Sequence, residues 1–249
     1  MRHPGHLLPA LALAAGAAVG VPATALADEP GTPQKDIAEN FLDGLRTGLT
    51  DLGDKVRAEA GLRSRDLPES ASGELVTVPV DDLRGGVDRS GAQVRRVRIQ
   101  VEDGLPVDGE AFAEYVMRTL NDERGWGHDG SVSFVAVEEG EHFSVALATP
   151  GVVDELCVPL RTAGQYSCGR NGYAALNANR WAYGAEPFLD GGGSLPQYRQ
   201  YLVNHEVGHL LGKQHTPCPE AGGPAPTMLQ QTMRLEGCTP NGWPAHDPT

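Results

Sequence analysis

The sequence predicts an α+β domain, and three observations carry that prediction. Segments rich in β-branched residues alternate apolar and polar positions. Two other stretches repeat apolar residues every three or four positions. The order is strands, helix, strands, helix, then an aperiodic tail. "LVTVPV" and "AQVRRVRIQVE" read as the first strands. "DGEAFAEYVMRTLND" sets Phe112, Val116 and Leu120 four apart, an amphipathic helix starting near Asp108. "SVSFVAVEE" and "HFSVALAT" read as a hairpin about Gly140, and "GYAALNANRW" as a further strand. "SLPQYRQYLVNHEVGHLLG" is the second helix, with Ser194 as N-cap, Pro196 in its first turn and Gly212 as its stop. Residues 213–249, rich in proline, read as a loop-rich C-terminal subdomain. The domain as a whole is expected to span 71–249.

The N-terminal part has a different character. Residues 1–27 carry an early Arg2, an apolar run from Leu7 to Val21 and the small-residue close Ala25-Leu26-Ala27, which predicts a secretory signal peptide cleaved before Asp28. Pro9, Gly16, Gly20 and Pro22 interrupt the run, which falls short of the ~20 residues a membrane span needs. No later stretch is apolar enough to cross, so no stable membrane insertion is expected. In 28–70, Ile37, Phe41, Leu45, Leu49, Leu52 and Val56 follow helical spacing, although Gly44, Gly48 and Gly53 each weaken a helix by ~1 kcal/mol relative to Ala. That segment can be a stalk, a pro-segment or a docked arm.

Composition narrows the function. The formal net charge is −13, and the densest basic run, Arg95 to Arg98, alternates between the two faces of a strand. A phosphate backbone needs clustered Lys and Arg, so nucleic acid is not an expected partner. Four cysteines in an exported chain read as two disulfides. Of the three pairings, Cys157–Cys168 and Cys218–Cys238 are favoured, because each closes a local segment rich in Gly and Pro. No pair has the two-to-four-residue gap of a zinc knuckle.

"HEVGHLLGKQH", His205 to His215, carries the chemistry. On a helix His205 and His209 lie four apart and project from one face, one turn above the other. Two imidazoles so placed can meet one zinc ion at ~2.0 Å, with Glu206 beside the first ligand but free of the metal. Gly212 ends the helix and lets the chain turn, which returns His215 as a third ligand and leaves the fourth position for water. A solvated helix face would need neither the glycine nor the third histidine. At ordinary residue frequencies the full pattern arises by chance in on the order of one chain in ten thousand or fewer.

HExxHxxGxxH resembles the zinc signature of the metzincin metallopeptidases, in which a methionine-bearing turn follows. "APTMLQQ" places Met228 thirteen residues after His215. The resemblance implies that His205, His209 and His215 hold one catalytic zinc ion, that Glu206 is the general base, and that Met228 packs as the floor beneath. It also implies a small twisted mixed sheet with two main helices, the second bearing the motif. Substrate would lie along an edge strand that precedes "GYAALNANRW", rimmed by the region tethered by Cys157 and Cys168.

From about Val94 onward the chain is also similar to a family of secreted bacterial proteins described as zinc peptidases of unknown substrate. The likeness rests on "EDGLPVDGEAFAEYVMRTLND", "RGW", "LNANRW", "YLVNHEVGHLLGKQHTPCP", "APTMLQQT" and "NGWP". One feature departs from several metzincins, which place a tyrosine shortly after the Met-turn. The last tyrosine here is Tyr201, so Tyr183 and Asn204 are the substitutes to test as oxyanion donors. The resemblance implies a secreted, monomeric zinc metalloendopeptidase that hydrolyses protein or peptide by Glu-assisted attack of zinc-activated water. The competing expectations are a non-catalytic, zinc-containing extracellular binding module and a zinc amidase acting on cell-wall peptides, the latter associated with the cell envelope.

Overall fold

The computed structural model describes residues 33–64, 66–80 and 91–248. The expected signal peptide, 1–27, lies outside the described residues. The chain forms two compact units, Met1–Thr47 and Gly48–Thr249. The first is described from Pro33, where α1 (Pro33–Ala58) begins, and its Phe41, Leu42 and Leu45 are exposed.

The second unit is a mixed α and β layer structure. Its elements are β1 (Leu75–Thr77), β2 (Gln93–Glu102), α2 (Gly109–Leu120), β3 (Val132–Ala136), β4 (Phe143–Ala148), α3 (Pro150–Leu156), β5 (Cys168–Arg170), β6 (Tyr173–Asn177), α4 (Ala178–Tyr183), α5 (Glu186–Asp190) and α6 (Leu195–Leu210). The sheet runs β1-β2-β4-β6-β5, with β3 joined to β2. β2, β3, β4 and β6 are parallel, and β1 and β5 run antiparallel at the two ends. No helix among the described residues is long and apolar enough to cross a membrane.

Side-chain alternation decides which face covers what. Ala174 and Leu176 of β6 join Val145 and Leu147 of β4 in the main core under α2 and α6. Ala175 points the other way, into a small second cluster with Ala148, Val153 of α3 and the Cys157–Cys168 pair. The main core is centred on Trp181, whose ring meets Phe112 and Tyr115 edge-on at 5.1 and 5.2 Å. Its indole N–H donates to Ala60 O at 2.9 Å, so the chain just after α1, including Ala60 and Leu62, is core.

Two expectations are corrected. β3 and β4 form no hairpin. Both run parallel to β2, β3 along Gln93–Val97 and β4 along Val97–Val101. All six residues of β4 are buried, the profile of a central strand covered on both faces, and it inserts between β2 and β6. "GYAALNANRW" is a strand only to Asn177, whose side chain then accepts from the Asn179 and Arg180 amides at 3.0 and 3.4 Å and starts α4. Besides α2 and α6, the short helices α3, α4 and α5 have too few turns to show a period. Both disulfides, Cys157–Cys168 and Cys218–Cys238, are formed.

Candidate metal centre

α6 begins with a reciprocal cap. The Gln197 amide donates to the Ser194 hydroxyl, and the Gln197 side chain accepts from the Ser194 N–H at 2.8 Å. The helix is buried from Tyr198 to Gly208 except Gln200. Its last amides fold back, Leu211 N to Val207 O and Lys213 N to Gly208 O, and Gly212 takes φ +85°, which ends the helix at Leu210. The chain then runs back to His215. The Thr216 amide bonds Met228 O at 3.2 Å, so the third histidine is tied to the turn that carries Met228.

These connections bring His205, His209 and His215 together, with one ligand nitrogen from each and all three within 4.8 Å of one another. Their ring centroids lie 4.6 to 5.3 Å apart. His205 is buried, His209 half-buried and His215 exposed, so the cluster opens in one direction.

Backbone carbonyls assign two of the tautomers. Thr227 O lies 2.8 Å from His205 Nδ1, and Lys213 O lies 3.0 Å from His209 Nδ1. A carbonyl only accepts, so both Nδ1 atoms carry the proton and both Nε2 atoms present lone pairs. His209 Nε2 and His215 Nε2 face each other at 3.1 Å. The His209 lone pair there meets either an N–H of His215 or, with His215 in the same tautomer, a cation shared between the two nitrogens, which is the arrangement a metal site requires. Burial lowers all three imidazoles, His205 to about 3, with the neighbouring histidines adding to the effect on His205 and His209 on that of His215. The residues present therefore fit a metal ion.

Glu206 sits beside the cluster and is buried. Burial pushes its carboxyl up to about 8, and the Gly169 amide partly offsets that. Gly169 belongs to β5, the edge strand. A Cβ there would overlap the Glu206 carbonyl and touch His209 Cβ, so only glycine lets β5 lie this close to α6. Met228 is buried in a tight turn closed by Leu229 N to Pro226 O, and packs on α6 where Gly208 leaves room. Trp126 packs with Met228 against the same position at Gly208 and donates to Asn204 O at 2.9 Å.

A cleft of about 530 Å³ opens above the cluster, lined by the three histidines, Glu206, the 160–170 segment and Gln230 to Met233. Tyr183 and Asn204 do not line it. Tyr183 faces a separate groove with Leu52 and Leu195, while Asn204 is fully buried and donates to Gly242 O at 2.8 Å. The tyrosines that do line it are Tyr166 and Tyr201.

Residues 64–241 match a family described as "Protein of unknown function (DUF3152)". The chain belongs to the DUF3152 family. The match takes in the three histidines, Glu206, Met228 and both disulfides of this DUF3152 chain. Neither the curated proteins nor the solved structures searched contain a match to it.

One support of the cluster lies beyond the matched residues. The Thr227 amide and hydroxyl both donate to Asp247 Oδ1, at 2.6 and 2.8 Å, and Asn241 Nδ2 reaches the same oxygen at 3.3 Å. Asp247 therefore holds the residue whose carbonyl orients His205. Sequence reading misses Asp247, Thr227 and Lys213 because backbone acceptors leave no trace in residue identity. His246, its neighbour, is exposed.

Proposed function

We propose that this protein is an exported zinc-dependent peptidase of metzincin type. The observation that carries the reading is the set of two tautomer-fixed imidazoles and a third converging beside a buried carboxyl in an open cleft. Further support comes from Met228 packed under α6 and from an antiparallel edge strand, β5, along the cleft. Two disulfides and the segment 1–27 support export.

His205, His209 and His215 would hold the ion, which when bound supplies a Lewis acid that polarises a carbonyl and acidifies water. The protein's own part follows from its geometry. The edge of β5 not paired to β6 offers main-chain groups to an extended peptide, which aligns the scissile bond over α6. Glu206 receives the proton of the attacking water on its carboxylate and passes it to the departing amine nitrogen. Burial alone raises that carboxyl to about 8, and a cation held by the three histidines would lower it again toward the carboxylate form a general base needs.

Glu206→Gln separates binding from chemistry. Zinc content stays at the wild-type level while hydrolysis of an unfolded protein falls by roughly a thousandfold or more. Zinc in both proteins with equal cleavage would remove Glu206 from the mechanism. Zinc in both with no cleavage by either would leave a binding module.

A further inference from the structure

We propose that Arg161 and Arg170 make this cleft select acidic protein segments, reading a carboxylate side chain close to the scissile bond. The inference deepens the peptidase reading and rests on it for the word scissile; the carboxylate preference itself is a binding property.

Both arginines line the cleft that holds the histidines, and the one carboxyl group in that lining is Glu206, which stands beside the metal cluster rather than on the rim. Among the described residues neither guanidinium makes a hydrogen bond or an ion pair. Six other arginines in the described chain pair with carboxylates, Arg46, Arg57, Arg63, Arg98, Arg124 and Arg234, while Arg95, Arg96, Arg118, Arg180 and Arg199 do not; of the arginines without an ion pair, Arg161 and Arg170 are the two that line this cleft. In a chain of net charge −13, acids are the commoner partner, so two arginines without an ion pair in the lining of one cleft, Arg170 at the edge strand and Arg161 on the loop, concentrate positive potential there.

The wall is also fixed in place. Asp154 accepts from the Thr162 hydroxyl and from the Gly164 amide at 3.0 Å, Asn177 Nδ2 donates to Gly164 O at 3.1 Å, and Arg180 Nε donates to Gln165 O at 2.6 Å. The Cys157–Cys168 bridge closes that loop onto β5. Arg170 ends β5, and Asn171 Nδ2 bonds Leu156 O and Val158 O at 3.3 and 3.0 Å, which pins the turn after it. Two guanidinium groups on a pinned backbone lose less freedom on binding than two on a loose loop. Each presents the planar fork that matches a carboxylate bidentately. An acidic peptide laid along β5 passes Arg170 on the strand and Arg161 on the facing loop.

The test measures binding apart from turnover. The zinc-loaded chain carrying Glu206→Gln is titrated against two fluorescent peptide pools of equal length, one with Asp and Glu and one with Asn and Gln at the same positions. Anisotropy is read at low and high salt. The acidic pool binds about tenfold tighter at low salt, and the preference shrinks toward parity at about 0.5 M salt. It disappears in Arg161→Gln/Arg170→Gln, and Arg161→Glu/Arg170→Glu reverses it, so that the Asn and Gln pool binds tighter. Zinc content and near-ultraviolet circular dichroism confirm that each variant is folded.

Equal binding of the two pools, no binding of either, or a preference that survives the double variant would each overturn the proposal. Wild-type hydrolysis is followed alongside with both pools. Cleavage without acidic preference keeps the peptidase and removes this selectivity. Acidic binding without cleavage keeps the selectivity and removes the peptidase.

Discussion

α1 and α6 are built from opposite kinds of sequence and end in opposite surroundings. α1 repeats Phe41, Leu45, Leu49 and Leu52 at helical spacing, yet those side chains are 65, 48, 70 and 59 % exposed. α6 has no clean stripe and mixes Arg199, Asn204, His205 and Glu206 with apolar residues, yet all four are buried. The difference lies in what surrounds each helix. β5 and β6, α2, and the 213–248 segment through Thr227, Leu229 and Gly242 all meet α6. Most polar atoms of those four side chains find partners, Arg199 Nε and Nη1 at Trp181 O and Val56 O, Asn204 Nδ2 at Gly242 O and His205 Nδ1 at Thr227 O, while Arg199 Nη2 and Asn204 Oδ1 have none. Enclosure also makes the histidines neutral and raises Glu206. The chemistry of the site is a consequence of how completely α6 is covered.

The closest point of that enclosure gives the largest expected effect in this comparison. Gly169→Ala puts a methyl group into the Glu206 carbonyl, so β5 must leave α6 or the strand must distort. We expect the variant to lose about 3 kcal/mol or more in denaturant unfolding, at the upper end of overpacking costs. An unchanged unfolding midpoint would mean that β5 does not press on α6 in solution.

How legible this was depended on whether a feature speaks through side chains or through the backbone. Periodicity exposed α2, the Ser194 cap, Pro196 and the Gly212 stop exposed α6, and β-branched alternation exposed β2 and β4. The pattern of His205, Glu206, His209, Gly212 and His215 marked the histidine cluster, which could hold a metal ion, before any geometry. Pairing was not legible, because β3 and β4 look alike as a hairpin and as two parallel partners of β2. A strand pattern records which faces are buried, not which neighbour lies beside it. The supports of the site were equally silent. Thr227 and Lys213 act through carbonyls that any residue would supply, and Asp247 lies far along a tail with no periodic structure.

Enclosure predicts how the metal-free protein responds to pH. His205 holds a pKa of about 3 in the fold against an ordinary 6.5, so its contribution is complete above 6.5 and drains away as the unfolded chain binds protons on the way down to 3. His209 and His215, also lowered by burial, act in the same direction. Glu206 has the opposite sign. Raised from 4.5 to about 8, it contributes fully below 4.5 and loses that contribution as pH climbs through 8. Three histidines act against one glutamate, so chelator-treated protein should be most stable near 6.5. It should lose up to about 1.4 kcal/mol per pH unit on the alkaline side, where Glu206 alone titrates, and more on the acid side, read from urea midpoints. Zinc should abolish the alkaline loss, because a nearby cation favours the Glu206 carboxylate. A loss on the acid side alone would show that Glu206 is solvated.

A smaller effect is expected at the outer edge of the enclosure. Asp247→Ala removes the acceptor that fixes Thr227 and through it the His205 ring. Zinc affinity, measured by competition with a chromogenic chelator, should weaken by about 10- to 100-fold, with zinc still bound by the same three histidines. A cobalt-loaded sample should show a shifted visible spectrum, which a remote loss of stability would not produce. Unchanged affinity and spectrum would make Asp247 a mere anchor of the tail.

The smallest effect belongs to α1. Leu49 is 70 % exposed, and Leu202 on α6 is 1 % exposed. Leu202→Ala should cost about 2–5 kcal/mol, the range for a buried leucine. Leu49→Ser should stay within about 0.5 kcal/mol, because little apolar area leaves water there when the chain folds. Helical spacing alone would have assigned both leucines to a core. If Leu49→Ser instead costs as much as Leu202→Ala, the stripe of α1 is covered in solution, and amphipathic spacing is the better guide to its state.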